Sequence, residues 1–172
     1  MPKFNVRSSK KVSAKDREIV LKYVDLCLKE ICKKEHEINT VFRSPIKIQA
    51  ARKNLLVTIR SSFVRSRGGR DEIIIDVADG RAAASFRKVH EYKAFSKDPV
   101  IGSFSTRSKE KGIAWIVAHE MAHHIQYRYG PWTRWLKKNY RKPHGEGFQA
   151  IYRILRSRIV NKIPEPSEEE AA

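Results

Sequence analysis

The sequence predicts an α+β domain: an N-terminal helix, a small three- or four-stranded sheet containing antiparallel pairing, a long apolar helix and a C-terminal helix. Three observations predict it. Val20, Tyr23, Val24, Cys27, Leu28 and Ile31 recur at helical spacing. Three short β-branched runs follow, at Ile46–Ala50, Leu55–Ile59 and Glu72–Val77. Residues 115–125 are then apolar on most sides, which suits a buried helix.

Each element has a local cause. Residues 1–12 carry four basic side chains and no acidic one, and are expected as a flexible basic arm. Ser13-Ala14-Lys15-Asp16 reads as a helix cap, and the helix should run to about Glu37. Ala51–Asn54 is short enough for a hairpin between the first two strands. Residues 60–70 form a longer loop with Arg60, Arg65, Arg67 and Arg70, two glycines and Phe63. A short helix is expected over Ala82–Glu91, and an irregular stretch over Tyr92–Phe104. Ser105–Ser108 supplies a cap for the apolar helix, which Gly130-Pro131 should stop. A last helix is expected over about Glu146–Val160. Residues 13–163 thus form one domain, and the glutamate-rich residues 164–172 read as a disordered tail.

The formal charge is +17, and the four glutamates of residues 164–172 leave +21 on residues 1–163. Such an excess attracts polyanions, so nucleic acid is an expected partner, with DNA favoured. Arg60, Arg65, Arg67 and Arg70 are the candidate phosphate contacts, with Phe63 as a stacking platform. No run is apolar enough for a membrane span, and Met1–Phe4 lack a signal core. Cys27 and Cys32 are badly placed for a disulfide within one helix and read as buried reduced thiols. An intracellular monomer is expected.

The chemistry concentrates in His119-Glu120-Met121-Ala122-His123, an H-E-x-x-H on the apolar helix. At about 100° per residue the two histidines point only ~40° apart, so both can meet one metal ion. Glu120 lies ~60° from His123 and can reach a water in the same place, as a general base. Two histidines and a glutamate on a buried helix are costly without a metal or partners. Zinc, one ion, is the expected cofactor, and a catalytic site needs a third protein ligand. The downstream pattern H-E-x-x-H-x-x-G-x-x-H fails, because Gln126 and Tyr129 occupy its glycine and histidine positions. His144 is the best candidate for the third ligand, with Glu146 as its rival. His124 points ~100° away from His123 and should meet solvent or a group behind the ligands. Tyr127, Tyr140 or an arginine could steady a developing oxyanion. Trp132 and Trp135 could cover the cleft, although core packing is their commoner use.

Trp115–His123 together with His144–Arg156 resembles the SprT-like metalloprotease family, which includes Spartan. The resemblance spans roughly the last third of the chain. It implies a zincin-like fold, His119, His123 and His144 as zinc ligands, Glu120 as catalytic base, and proteolysis of proteins bound or crosslinked to DNA. Departures are plain. The four-cysteine zinc ribbon of many bacterial relatives is absent, and the segment Tyr127–Lys142 is long. Two alternatives stay open. One is a non-catalytic nucleic-acid-binding protein whose structural zinc is closed by a fourth ligand. The other is a repressor-cleaving regulatory metallopeptidase of ImmA-like type, against which the His144-Gly145 segment speaks.

Overall fold

Helices and a mixed sheet alternate along the chain in the computed structural model, which describes residues 4–42, 55–62, 65–84, 95–129 and 142–167. In order they are β1 (Asn5–Ser8), α1 (Ala14–Lys33), α2 (Glu35–Phe42), β2 (Leu56–Arg60), β3 (Arg67–Gly68), β4 (Glu72–Asp76), α3 (Val77–Ala83), α4 (Lys109–Tyr129) and α5 (Glu146–Arg158). A 3₁₀ turn over Val160–Lys162 follows α5. No helix of the described residues is long and apolar enough to cross a membrane.

The sheet runs β1-β2-β4-β3. The pairs β1/β2 and β2/β4 are parallel, and β3 runs antiparallel to β4 at the edge. Ile73, Ile74 and Ile75 are all buried, because β4 is covered on both faces. This is why the run lacks the alternation of a half-exposed strand. The polar exception in β2 is Thr58, whose buried hydroxyl donates to Glu72 at 2.6 Å.

Several expectations need correction. The supposed flexible arm contains β1: Asn5 N–H donates to Leu55 O and Ser9 N–H to Ile59 O, each at 3.0 Å, and Phe4 joins the core. The first helix breaks at Lys34, whose N–H turns back onto Glu30 and Ile31, and α2 then continues to Phe42. The short helix starts five residues earlier than expected. Buried Asp76 ends β4 and caps α3 by accepting from Ala78 N–H at 3.0 Å, so strand passes straight into helix. The arginine loop contains the short edge strand β3. The acidic tail is docked at Glu165, which accepts from Thr106 Oγ1 at 2.8 Å, Arg107 N–H at 2.9 Å and Lys111 Nζ at 2.7 Å. The Ile46–Ala50 run, the Ala51–Asn54 hairpin and residues 85–94 lie outside the described residues.

Helix α4 is the central beam, packed against α1, α3 and α5. Ser108 caps it by accepting from Lys111 N–H at 3.1 Å. Its crossing with α3 is close enough to require two glycines. A Cβ on Gly112 would stand 2.2 Å from Gly80 O, and one on Gly80 would stand 2.8 Å from Ile113 Cα. Ile113, Val117, Met121 and Ile125 of α4 share one core with Val24 and Leu28 of α1 and with Ile151 and Leu155 of α5. Cys27 is buried and Cys32 half-buried, and they form no disulfide.

Buried Asp16 ties the starts of α1 and α4 to the last turn of α3. It accepts from Ser13 Oγ at 2.7 Å, lies 2.8 Å from Lys109 Nζ, and bonds Arg81 of α3. Burial alone would raise its pKa, but Lys109, Ser13 and Arg81 outweigh that and hold it at about 2, against 3.8 for an ordinary aspartate. A depressed carboxylate stabilises the fold above its unfolded pKa and loses that contribution as pH falls toward its folded one. Allowing for the half-exposed partners, the contribution is about 2 kcal/mol at neutral pH. Asp16→Asn is expected to lower stability by about 2–3 kcal/mol at pH 7, with roughly half the charge contribution gone by pH 3. Urea titrations of both proteins at the two pH values check this.

Candidate metal centre

Helix α4 carries His119, Glu120 and His123 into the interior between the sheet edge and α5. Glu120 and His123 are buried and His119 is half-buried. His144 arrives from the turn before α5, with φ of 65°, a left-handed conformation that costs a non-glycine residue on the order of 1 kcal/mol. The turn is held on both sides. Gln126 Nε2 donates to Lys142 O at 3.0 Å, Gly145 N–H donates to Lys142 O at 2.9 Å, and Gln149 Nε2 donates to His144 O at 2.9 Å. Gln126, which breaks the expected downstream motif, thus helps position the segment that bears His144.

The three rings converge through one nitrogen each. His144 Nε2 lies 2.9 Å from His123 Nε2 and 3.2 Å from His119 Nε2. The three ligand atoms all fall within 4.8 Å of one another. Nitrogens bound tetrahedrally to one zinc at ~2.0–2.1 Å stand about 3.3 Å apart, so the spacing suits a shared ion. Three imidazole nitrogens facing one point cannot all be satisfied by donating to each other, whereas a cation satisfies all three at once. Burial, followed by the charges of His119 and His144, lowers the His123 pKa to about 3, which keeps its ring in the neutral, ligating form. Phe148 of α5 backs the cluster, with its ring centroid 5.0, 4.4 and 4.8 Å from those of His119, His123 and His144. Tyr152 closes the His119 side at 5.4 Å. These three histidines could hold one metal ion.

Neither family models, nor curated proteins, nor solved structures give a match to this chain.

Burial pushes the Glu120 carboxyl up to about 7, even though the charge of His119 and a hydrogen bond from Gly68 N–H favour its ionised form. A cation in the histidine cluster would favour that form further. Gly68 belongs to β3, and it has no room for a side chain. A Cβ there would lie 2.2 Å from Glu120 O and 2.6 Å from His123 Cβ. The edge strand therefore runs directly against the turn of α4 that carries the base and one ligand.

That strand is pinned from behind. Asp76 accepts from Ser62 N–H at 3.1 Å and Ser62 Oγ at 3.0 Å, and Asp79 accepts from Ser66 N–H and Oγ, each at 3.1 Å. Ser66 Oγ in turn accepts from Asp76 N–H at 2.9 Å. Arg128 of α4 donates to Arg70 O at 3.3 Å and pairs with Asp71. His124 is fully buried, and its Nδ1 lies 2.8 Å from Gly69 O. A carbonyl only accepts, so Nδ1 carries the proton. Burial holds the ring neutral, with its pKa lowered to about 4.

Other candidates separate clearly. Glu146 is exposed at the start of α5 and is outside the grouping of His119, His123 and His144. His36 is exposed on α2. Tyr127 is half-buried one turn beyond His123, with the rings stacked at 5.7 Å and 10°. Its phenol pKa is raised by burial and by the Glu120 carboxylate, which places the hydroxyl within reach of the base's field. Arg65, Arg67 and Arg70 are exposed in and around the edge strand β3, whereas Arg60 is half-buried at the end of β2, with β4 between it and that edge. Tyr140, Trp132, Trp135, His90 and Phe63 lie outside the described residues. Sequence reasoning missed Gly68, Gln126 and the pinning pairs. The Gly68-Gly69 dipeptide was the one available signal, and it reads equally well as a solvated loop tip.

Proposed function

We propose that the protein is a zinc-dependent endopeptidase of SprT-like, zincin-like type, associated with DNA and acting on proteins bound or crosslinked to it. The observation that carries this reading is the meeting of three imidazole Nε2 atoms beside a buried glutamate and an edge strand. His119, His123 and His144 would hold the ion. Bound zinc supplies a Lewis acid that polarises a scissile carbonyl and acidifies water.

The remaining work falls to the chain. A polypeptide substrate lies extended along β3 and gains main-chain hydrogen bonds with little side-chain selectivity. Glu120 takes a proton from the attacking water on its carboxylate and delivers it to the leaving amine. Its burial raises its proton affinity, which suits a group that must both accept and return a proton near neutrality. Tyr127 is the described side chain best placed to donate to a developing oxyanion, from the helical turn after His123. Arg65, Arg67 and Arg70 add positive charge along the same edge, with Arg60 behind them at the end of β2, and together they would hold a nucleic acid close to the cleft.

The test is cleavage of casein and of the protein itself, with and without single- or double-stranded DNA, and with and without a chelator. Cleavage that needs zinc and rises with DNA is expected. A protein that binds zinc and DNA but cleaves nothing would instead be a binding protein with a structural metal. Cleavage of a single repressor without DNA would favour a regulatory peptidase.

A further inference from the structure

We propose that His124 is a positioning residue that clamps the edge strand β3 to α4 and so sets the register between substrate and Glu120. The proposal rests on the peptidase reading above, and deepens it. The observations come from three directions. His124 follows a metal-ligating candidate but lies outside the three-histidine cluster, fully buried, and donates from Nδ1 to Gly69 O at 2.8 Å. One residue earlier, Gly68 N–H bonds the Glu120 carboxylate, and the missing Gly68 side chain lets the strand approach Glu120 O and His123 Cβ. Gly69 N–H is itself spent on Glu72 O at 2.8 Å, within the antiparallel pair with β4.

A strand of two residues has few ladder bonds of its own to fix its height above a helix. The Ser66–Asp79 and Arg128–Arg70 bonds hold its two ends, and its carbonyl and amide contacts to α4 fix the Gly68-Gly69 segment between them. Because His124 and His123 are consecutive on one rigid helix, the clamp and the ion site move as one body. A substrate pairing with β3 therefore meets the base at a fixed distance.

Two substitutions separate the clamp from general packing. His124→Leu keeps an apolar side chain but removes the donor. His124→Asn keeps a donor, because its amide nitrogen can take the place of Nδ1. The Leu variant is expected to raise KM for a casein-derived fluorogenic peptide about 10-fold, with a smaller change in kcat, as befits one lost hydrogen bond. The Asn variant should stay within about 3-fold of the parent. Zinc content should be unchanged in both.

A second arm needs no catalysis: amide exchange at Gly68 and Gly69, followed by NMR on the zinc-loaded protein. It should speed up about 10-fold in the Leu variant and stay slow in the Asn variant. If the parent cleaves nothing but the exchange pattern holds, the clamp stands and the peptidase reading falls. Unchanged exchange in the Leu variant, or loss of zinc from both variants, would overturn the clamp.

Discussion

Glu120→Gln is expected to cut peptide hydrolysis by about 10³–10⁴-fold while leaving zinc bound at full occupancy. The reason is local. Gln keeps the shape of the buried side chain but cannot accept a proton, and Glu120 is not one of the three converging ligands. The buried pocket tolerates a neutral group, since burial already works against the carboxylate's charge. The variant should therefore fold at least as stably as the parent. Hydrolysis assays at matched zinc content check the prediction. Retained cleavage would remove Glu120 from the role of base.

The second large effect is expected from His144→Ala. Losing a partner that merely supports a ligand costs roughly 10–100-fold in metal affinity, and loss of a ligand should exceed that. His144 Nε2 is the atom that lies 2.9 and 3.2 Å from the other two nitrogens, so its removal leaves two imidazoles on one helix. The left-handed backbone at residue 144 should meanwhile relax at little cost, because alanine has no ligand to hold in place. Competitive chelator titration of parent and variant reads the difference directly. Full affinity in the variant would move the third ligand elsewhere, Glu146 being the nearest rival in sequence.

The parts of the molecule that were legible in the sequence are those fixed by short-range geometry. His119, Glu120 and His123 share a helix, so spacing alone sets their mutual angles. The Ser13 cap and the buried stripe of α1 follow from local side-chain chemistry and period. What escaped depends on distant partners. β1 is four residues long and has little pattern of its own; it is a strand because residues 55–59 offer it a parallel edge. β3 is shorter still, and exists through its pairing with Ile73 and Ile74. Asp76 reads locally as a strand residue, yet its carboxylate caps α3 and gathers Ser62. Glu165 lies in a composition typical of disorder, but three donors at the start of α4 claim it. The same limit applies within the site. The spacing of His124 gave its direction away from the ion, whereas Gly69 as its partner is a matter of tertiary packing.

X-ray absorption at the zinc edge, on protein loaded with one equivalent and freed of excess metal, tests the shared-ion site most directly. The account predicts three imidazole nitrogens and one light, exchangeable donor at ~2.0–2.1 Å, with imidazole scattering lost on substitution of residue 144. A chain that retains no zinc, or a shell containing sulfur or a fourth fixed protein ligand, would contradict it.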